Sequence, residues 1–235
     1  MTVSKVSRVS TAQRLAELAK IGPWFSGTVA SREFGWDSKK TSQYLWRWSE
    51  EKLIKPLGGK SDVYFNLVSS PDAPRTHWEV AVRSAMPDAV LSGSERIRVG
   101  ELSTQFGDDE LIVPAKSVQY KITDRFSDPV KIGTRNQKWW DAMRDNRCIM
   151  FSEPQWLNRL NPTAALVDYL LFETGQMLGP DDIDFDHLAG TKRELNRWRK
   201  LLTELGHPDE AKMAPSEAFE SLWVASRMGD ESAPK

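Results

Sequence analysis

The chain has 235 residues, of which 40% are hydrophobic and 28% charged, with a formal net charge of −1. That length exceeds the commonest size of one domain, so it predicts two, each with enough residues to bury a core. The composition is that of an ordinary globular protein. It holds no apolar run of membrane-spanning length, and the opening MTVSKVSRVS lacks the apolar core of a secretory signal, which together predict a cytoplasmic protein with no membrane partner. Cys148 is the only cysteine, so intramolecular disulfides and cysteine-cluster metal sites are excluded. His77, His187 and His207 are too dispersed to found a zinc site or a catalytic triad, and no metal, cofactor or enzymatic activity is expected.

The near-zero net charge conceals an asymmetry. Residues 1–69 carry 11 Lys/Arg against 6 Asp/Glu, residues 70–160 carry 13 of each, and residues 161–235 carry 8 against 14. An electropositive N-terminal module suits an anionic partner, and the acidic remainder keeps the whole chain near neutral.

Taken in chain order, Ser10 is placed to cap a helix over Thr11–Lys20, which Gly22-Pro23 ends. Ser26 caps a shorter helix through Val29, Ala30 and Phe34, and Gly35 supplies a left-handed end. Asp37 or Ser38 then caps a third helix, in which Ser38, Thr41, Leu45 and Trp48 recur on one stripe facing a small core that Trp24 and Trp36 help to fill. Lys39, Lys40, Gln43, Tyr44 and Arg47 point away from that stripe, with Ser42 beside them. These side chains are rich in hydrogen-bond donors and suit phosphates or base edges. Leu53 and Ile54 open an extended segment, Gly58-Gly59 supplies the positive φ of a tight turn, and Val63-Tyr64-Phe65 returns as a second strand. Lys55 and Lys60 on this ribbon are placed for flanking phosphates. The order of helices and ribbon predicts a winged helix-turn-helix over residues 1–69, with the third helix in the major groove of double-stranded DNA.

A Ser/Pro segment at residues 70–74 reads as the linker, and residues 75–235 read as a larger mixed α/β domain ending in helices, so the chain as a whole is α+β. Helices are expected at His77–Ala85 and Ser94–Leu102, and strands at Ala89–Leu91, Glu110–Val113, Ser117–Asp124, Val130–Ile132 and Cys148–Phe151. Asn136–Arg144 is ambiguous, and adjacent Trp139 and Trp140 can share one core only if that segment is not a strand. Asn161 caps a helix with Pro162 at its first position, and helices at Ile183–Leu188, Thr191–Leu205 and Pro215–Met228 complete the chain. The acids from Asp181 to Asp186 lack the turn glycine and closing glutamate of a calcium loop and read as a helix start.

The N-terminal helices and ribbon, the stretch LSGSERIRVGELSTQ at residues 91–105 before Leu111-Ile112-Val113, and NPTAALVD at residues 161–168 together resemble the AbiEi-type antitoxins of abortive-infection toxin–antitoxin pairs. The resemblance implies a transcription regulator that represses its own operon; because a single helix-turn-helix binds modestly, two copies are expected on an inverted-repeat operator, as a homodimer on DNA. It also implies a partner, a nucleotidyltransferase-like toxin, and a role in phage defence. Two other readings stand beside it. Gly93-Ser94 followed by Asp108 and Glu110 has the spacing of a nucleotidyltransferase site, in which two carboxylates hold magnesium ions, although Asp109 falls where an apolar residue belongs. A protein-interaction module would instead present Trp139 or Trp140 to a partner.

Overall fold

The computed structural model describes residues 11–59, 61–105, 108, 110–115, 121–123, 130–151, 153, 156–172 and 178–230. The chain is α+β. It opens with α1 (Thr11–Leu18), β1 (Trp24–Ser26), α2 (Gly27–Phe34), α3 (Ser38–Glu50), β2 (Ile54–Pro56), β3 (Gly58–Gly59) and β4 (Val63–Asn66). The middle holds α4 (Ala73–Thr76), α5 (Trp78–Ala85), β5 (Val90–Ser92), α6 (Ser94–Val99), β6 (Glu110–Pro114), β7 (Lys121–Ile122), β8 (Lys131–Arg135) and α7 (Gln137–Asp145). There follow β9 (Ile149–Met150), β10 (Asn158–Leu160), α8 (Pro162–Phe172), α9 (Phe185–Gly190), α10 (Lys192–Leu205) and α11 (Pro215–Asp230). Among the described residues no helix is long and apolar enough to cross a membrane.

Two compact units form, residues 1–87 with 119–130, and residues 88–118 with 131–235. In the first, local chemistry sets the helix ends as expected. The Ser26 side chain accepts from Val29 N–H at 3.2 Å, Asp37 accepts from Lys40 N–H at 2.8 Å, and Gly35 ends α2 at φ 61°. Strand β4 pairs antiparallel with β1 on one side and β2 on the other, and β1 is an element the sequence did not announce. The core is aromatic. Phe34 and Tyr44 stack on either side of Trp36, at 4.5 and 4.3 Å between ring centroids, and Trp48 closes the cluster at 5.6 Å from Trp36. Asn66, fully buried, donates to the Leu18 and Ile21 carbonyls at 2.7 and 2.9 Å and accepts from Val68 N–H at 3.2 Å. It thereby fastens the C-terminal end of α1, whose last carbonyls have no partner within the helix, to the end of the β2–β4 hairpin.

Two expectations are corrected here. Gly58-Gly59 is not a positive-φ turn: the pair forms strand β3, antiparallel to β7, and a Cβ on Gly58 would collide with the Lys121 carbonyl. Glycine is needed there for close approach rather than for handedness. Nor is 70–74 a linker. Ala73 and Pro74 are buried at the start of α4, and α5 packs on β4. Trp78, 3% exposed, donates its indole N–H to the Thr123 carbonyl at 2.7 Å. The apolar face of α5 needs cover and finds it within the first unit, which moves the boundary to 87/88.

The second unit holds a five-stranded mixed sheet ordered β8-β6-β5-β10-β9. Strands β8 and β6 run parallel, as do β5 and β10, and the remaining pairs are antiparallel. Helix α8 is its hub. Every residue from Thr163 to Leu170 is buried, because α6, α10 and α11 pack around it, and a helix apolar on all sides requires that enclosure. Asn161 caps α8 by accepting from Ala164 N–H at 2.9 Å. The ambiguous segment is helix α7, capped by Asn136, which lets Trp139 and Trp140 both enter the core with rings 4.8 Å apart. Cys148 is fully buried, and burial pushes its thiol up to about 11. Asp184 caps α9 by accepting from His187 N–H at 2.8 Å, and the Asp182 carboxylate accepts from Gly179 N–H at 2.7 Å, so these acids organise a helix start. Of the expected strand Ser117–Asp124, residues 117–120 and 124 lie outside the described residues.

Candidate nucleic-acid interface

Helix α3 buries Thr41, Leu45 and Trp48, and the rest of its surface divides into three. Outward, opposite the buried stripe, stand Lys39, Gln43, Trp46 and Arg47, all exposed. Trp46 is 67% exposed, a large apolar surface. Arg47 is bound by Glu51 one turn later, at 2.7 Å, and that hydrogen bond and charge raise its pKa above the usual range for an arginine. One flank carries Lys40, whose ammonium lies 5.5 Å from the centre of the Trp36 ring.

Tyr44 corrects the expectation of an outward side chain. It is half-buried on the aromatic cluster, its ring lies 4.7 Å under the Arg14 guanidinium, and its hydroxyl accepts a hydrogen bond from Arg14. Its position three residues from Thr41 and four from Trp48 puts it at the edge of the buried stripe.

The other flank faces a groove of about 760 Å³ between α2, α3 and the β2–β4 hairpin. Ser42, Trp46 and Ser49 of α3 line it opposite Gly59 and Tyr64, and Asp62 is the one carboxylate among the lining residues. The Ser42 hydroxyl donates to the Ser38 carbonyl at 2.9 Å and stays exposed. Lys55, on β2 opposite Phe65, is half-buried. Lys60 lies outside the described residues. The fold therefore gathers Lys39, Gln43 and Arg47 on one face, sets Lys40 and Ser42 on its flanks, and lays Tyr44 half-buried against the aromatic core.

The carboxylates of the rival enzymatic reading diverge in the second unit. Asp108 is exposed, and its backbone N–H donates to the Ser94 hydroxyl at 3.1 Å. Glu110 is buried and lies 3.6 Å from Arg135, which forms a two-point pair with Asp168 at 2.8 and 3.0 Å. Burial raises the Asp168 pKa, and the Arg135 hydrogen bond and charge offset part of that rise. One carboxylate thus faces solvent while the other serves a buried ion cluster. Among the described residues no group of three or more His, Cys, Asp or Glu could hold a metal ion.

Compared with family models, curated proteins and solved structures, the chain matches none.

Proposed function

We propose that the chain is a DNA-binding transcription regulator whose first unit works as a winged helix-turn-helix, with α3 in the major groove and the β2–β4 hairpin as the wing. The observation that supports this most is the shared outward face of Lys39, Gln43 and Arg47 on a helix followed directly by a hairpin. Gln43 reads adenine through its amide, Arg47 reads guanine or clamps a phosphate, and Lys39, Lys55 and Lys60 bind the backbone. Two copies occupy an inverted-repeat operator. In line with the AbiEi-type resemblance, the regulator represses its own operon and is the antitoxin to a nucleotidyltransferase-like toxin, which the second unit helps to neutralise.

The test is fluorescence anisotropy with duplex DNA from upstream of the gene, titrated across a range of salt. Lys39→Ala lowers affinity for all duplexes and reduces the salt slope by about 1, whereas Gln43→Ala relaxes sequence preference. Glu51→Gln releases Arg47 from its pair and tightens binding. Wild-type affinity in each of Lys39→Ala and Glu51→Gln, measured separately, would remove α3 as the contact. The exposed Trp46 favours one second reading, a protein partner on the same face. Binding through an apolar contact would survive added salt, and DNA binding would not.

A further inference from the structure

The second unit contains a cavity of about 350 Å³ that the reading of α3 does not use. Leu102, Met150 and Leu188 give it an apolar side, and Arg147, Arg193 and Arg197 are three basic residues of its lining. Its volume falls at the small end of ligand pockets, where a few polar groups converge on an otherwise apolar wall.

The charges do not cancel. Glu194 is the one carboxylate among the lining residues, and it is already engaged, accepting from Arg197 and from the Thr163 hydroxyl at 2.6 Å. Partial burial pushes its pKa up, but the Thr163 and Arg197 hydrogen bonds and the Arg197 and Arg193 charges outweigh that and hold it below the usual range. Arg193 stands 4.0 Å from the same carboxylate with a side chain 79% exposed. Among the described residues no carboxylate lies within ion-pairing distance of Arg147. Three arginines against one glutamate thus leave the lining with a net of two positive charges, which draws an anion to the recess. The first residues of α8, Pro162 and Thr163, also line the recess, and the helix start adds partial charge of the same sign.

We propose that this cavity binds a small organic anion, a phosphate or carboxylate carried on a compact apolar body. The anionic group pairs with Arg147 and Arg193, and the body lies on Leu102, Met150 and Leu188. Arg197 is a positioning residue that holds Glu194 out of the way.

The backbone offers a clean variant. Arg147 sits at φ 53°, a conformation that glycine adopts without strain, so Arg147→Gly removes the guanidinium while suiting the fold. Isothermal titration of the full chain at fixed ionic strength, with phenyl phosphate, benzoate and inorganic phosphate as probes, tests the proposal. Saturable one-site binding of phenyl phosphate or benzoate is expected, and whichever binds identifies the anion. Arg147→Gly and Arg193→Gln should each weaken it about tenfold or more, with Arg147→Gly melting no lower than wild type. Failure of wild type to bind either organic probe overturns the proposal, as does binding unchanged in both variants. Inorganic phosphate bound as tightly as phenyl phosphate overturns the apolar subsite.

Discussion

Replacing Asp168 with Asn tests how the second unit holds its buried charges. Asp168 lies on α8 with a side chain 1% exposed, and accepts from Arg135 Nε and Nη2 at 2.8 and 3.0 Å and from the Ser92 hydroxyl at 3.3 Å. The amide keeps the shape but carries no charge, and it turns one donor toward a guanidinium that has only donors. Removing one partner of a buried pair costs about 3–5 kcal/mol. Glu110, 3.6 Å from Arg135 and equally buried, retains part of the attraction, so the low end applies, about 3 kcal/mol. For a unit of this size that corresponds to a melting point roughly 6–12 °C lower. Guanidinium denaturation followed by tryptophan fluorescence, in a cycle with Arg135→Met, measures it. The double variant should recover part of the loss, because no unpaired guanidinium remains opposite the amide. A cost below about 1 kcal/mol for Asp168→Asn, or strict additivity in the cycle, would refute the reasoning.

Three further outcomes follow from the same geometry. Asn66→Ala takes the side-chain donor from the Ile21 carbonyl and one of two donors from the Leu18 carbonyl, which keeps the Ile21 N–H, and should cost about 1–3 kcal/mol by denaturant titration, whereas an exposed Asn196→Ala change should be close to neutral. Gly58→Ala should break the β3–β7 pairing and lower the melting point, while Gly59→Ala, whose Cβ would meet its nearest neighbour at 3.8 Å, should leave it nearly unchanged. Cys148 should resist thiol reagents near neutral pH until the protein is denatured. Because its folded pKa, about 11, exceeds the ordinary 9.0, its contribution to stability is intact below pH 9.0 and is lost as pH rises toward 11, an effect that Cys148→Ala should abolish in alkaline melts.

The helices were legible where local chemistry marks their ends. Ser26, Asp37 and Asn161 are caps in sequence and in space, and the Thr41, Leu45 and Trp48 spacing located the buried face of α3. Elements whose partners lie far along the chain were not legible. Strand β1 spans three residues and is defined by pairing with β4 some forty positions later, and Gly58 owes its role to Lys121. The Ser/Pro composition of residues 70–74 suggested a tether because the cover that α5 requires cannot be seen from its own residues. Of the candidate interface, charge and periodicity placed Lys39, Gln43 and Arg47 correctly on the outer face. They missed the turn of Tyr44 into the aromatic cluster, which depends on the stacking partner Trp36 and on Arg14, thirty residues upstream. The Arg135–Asp168 pair joins residues 33 positions apart, and no local pattern announces it.

The enclosure of α8 sets a schedule for biosynthesis. This segment is translated before the residues of α10 and α11, which cover two of its sides. Until they fold onto it, those two sides are bare apolar surface of the kind that chaperones shield on nascent chains. The first unit waits too, since β7 is translated well after its partner β3.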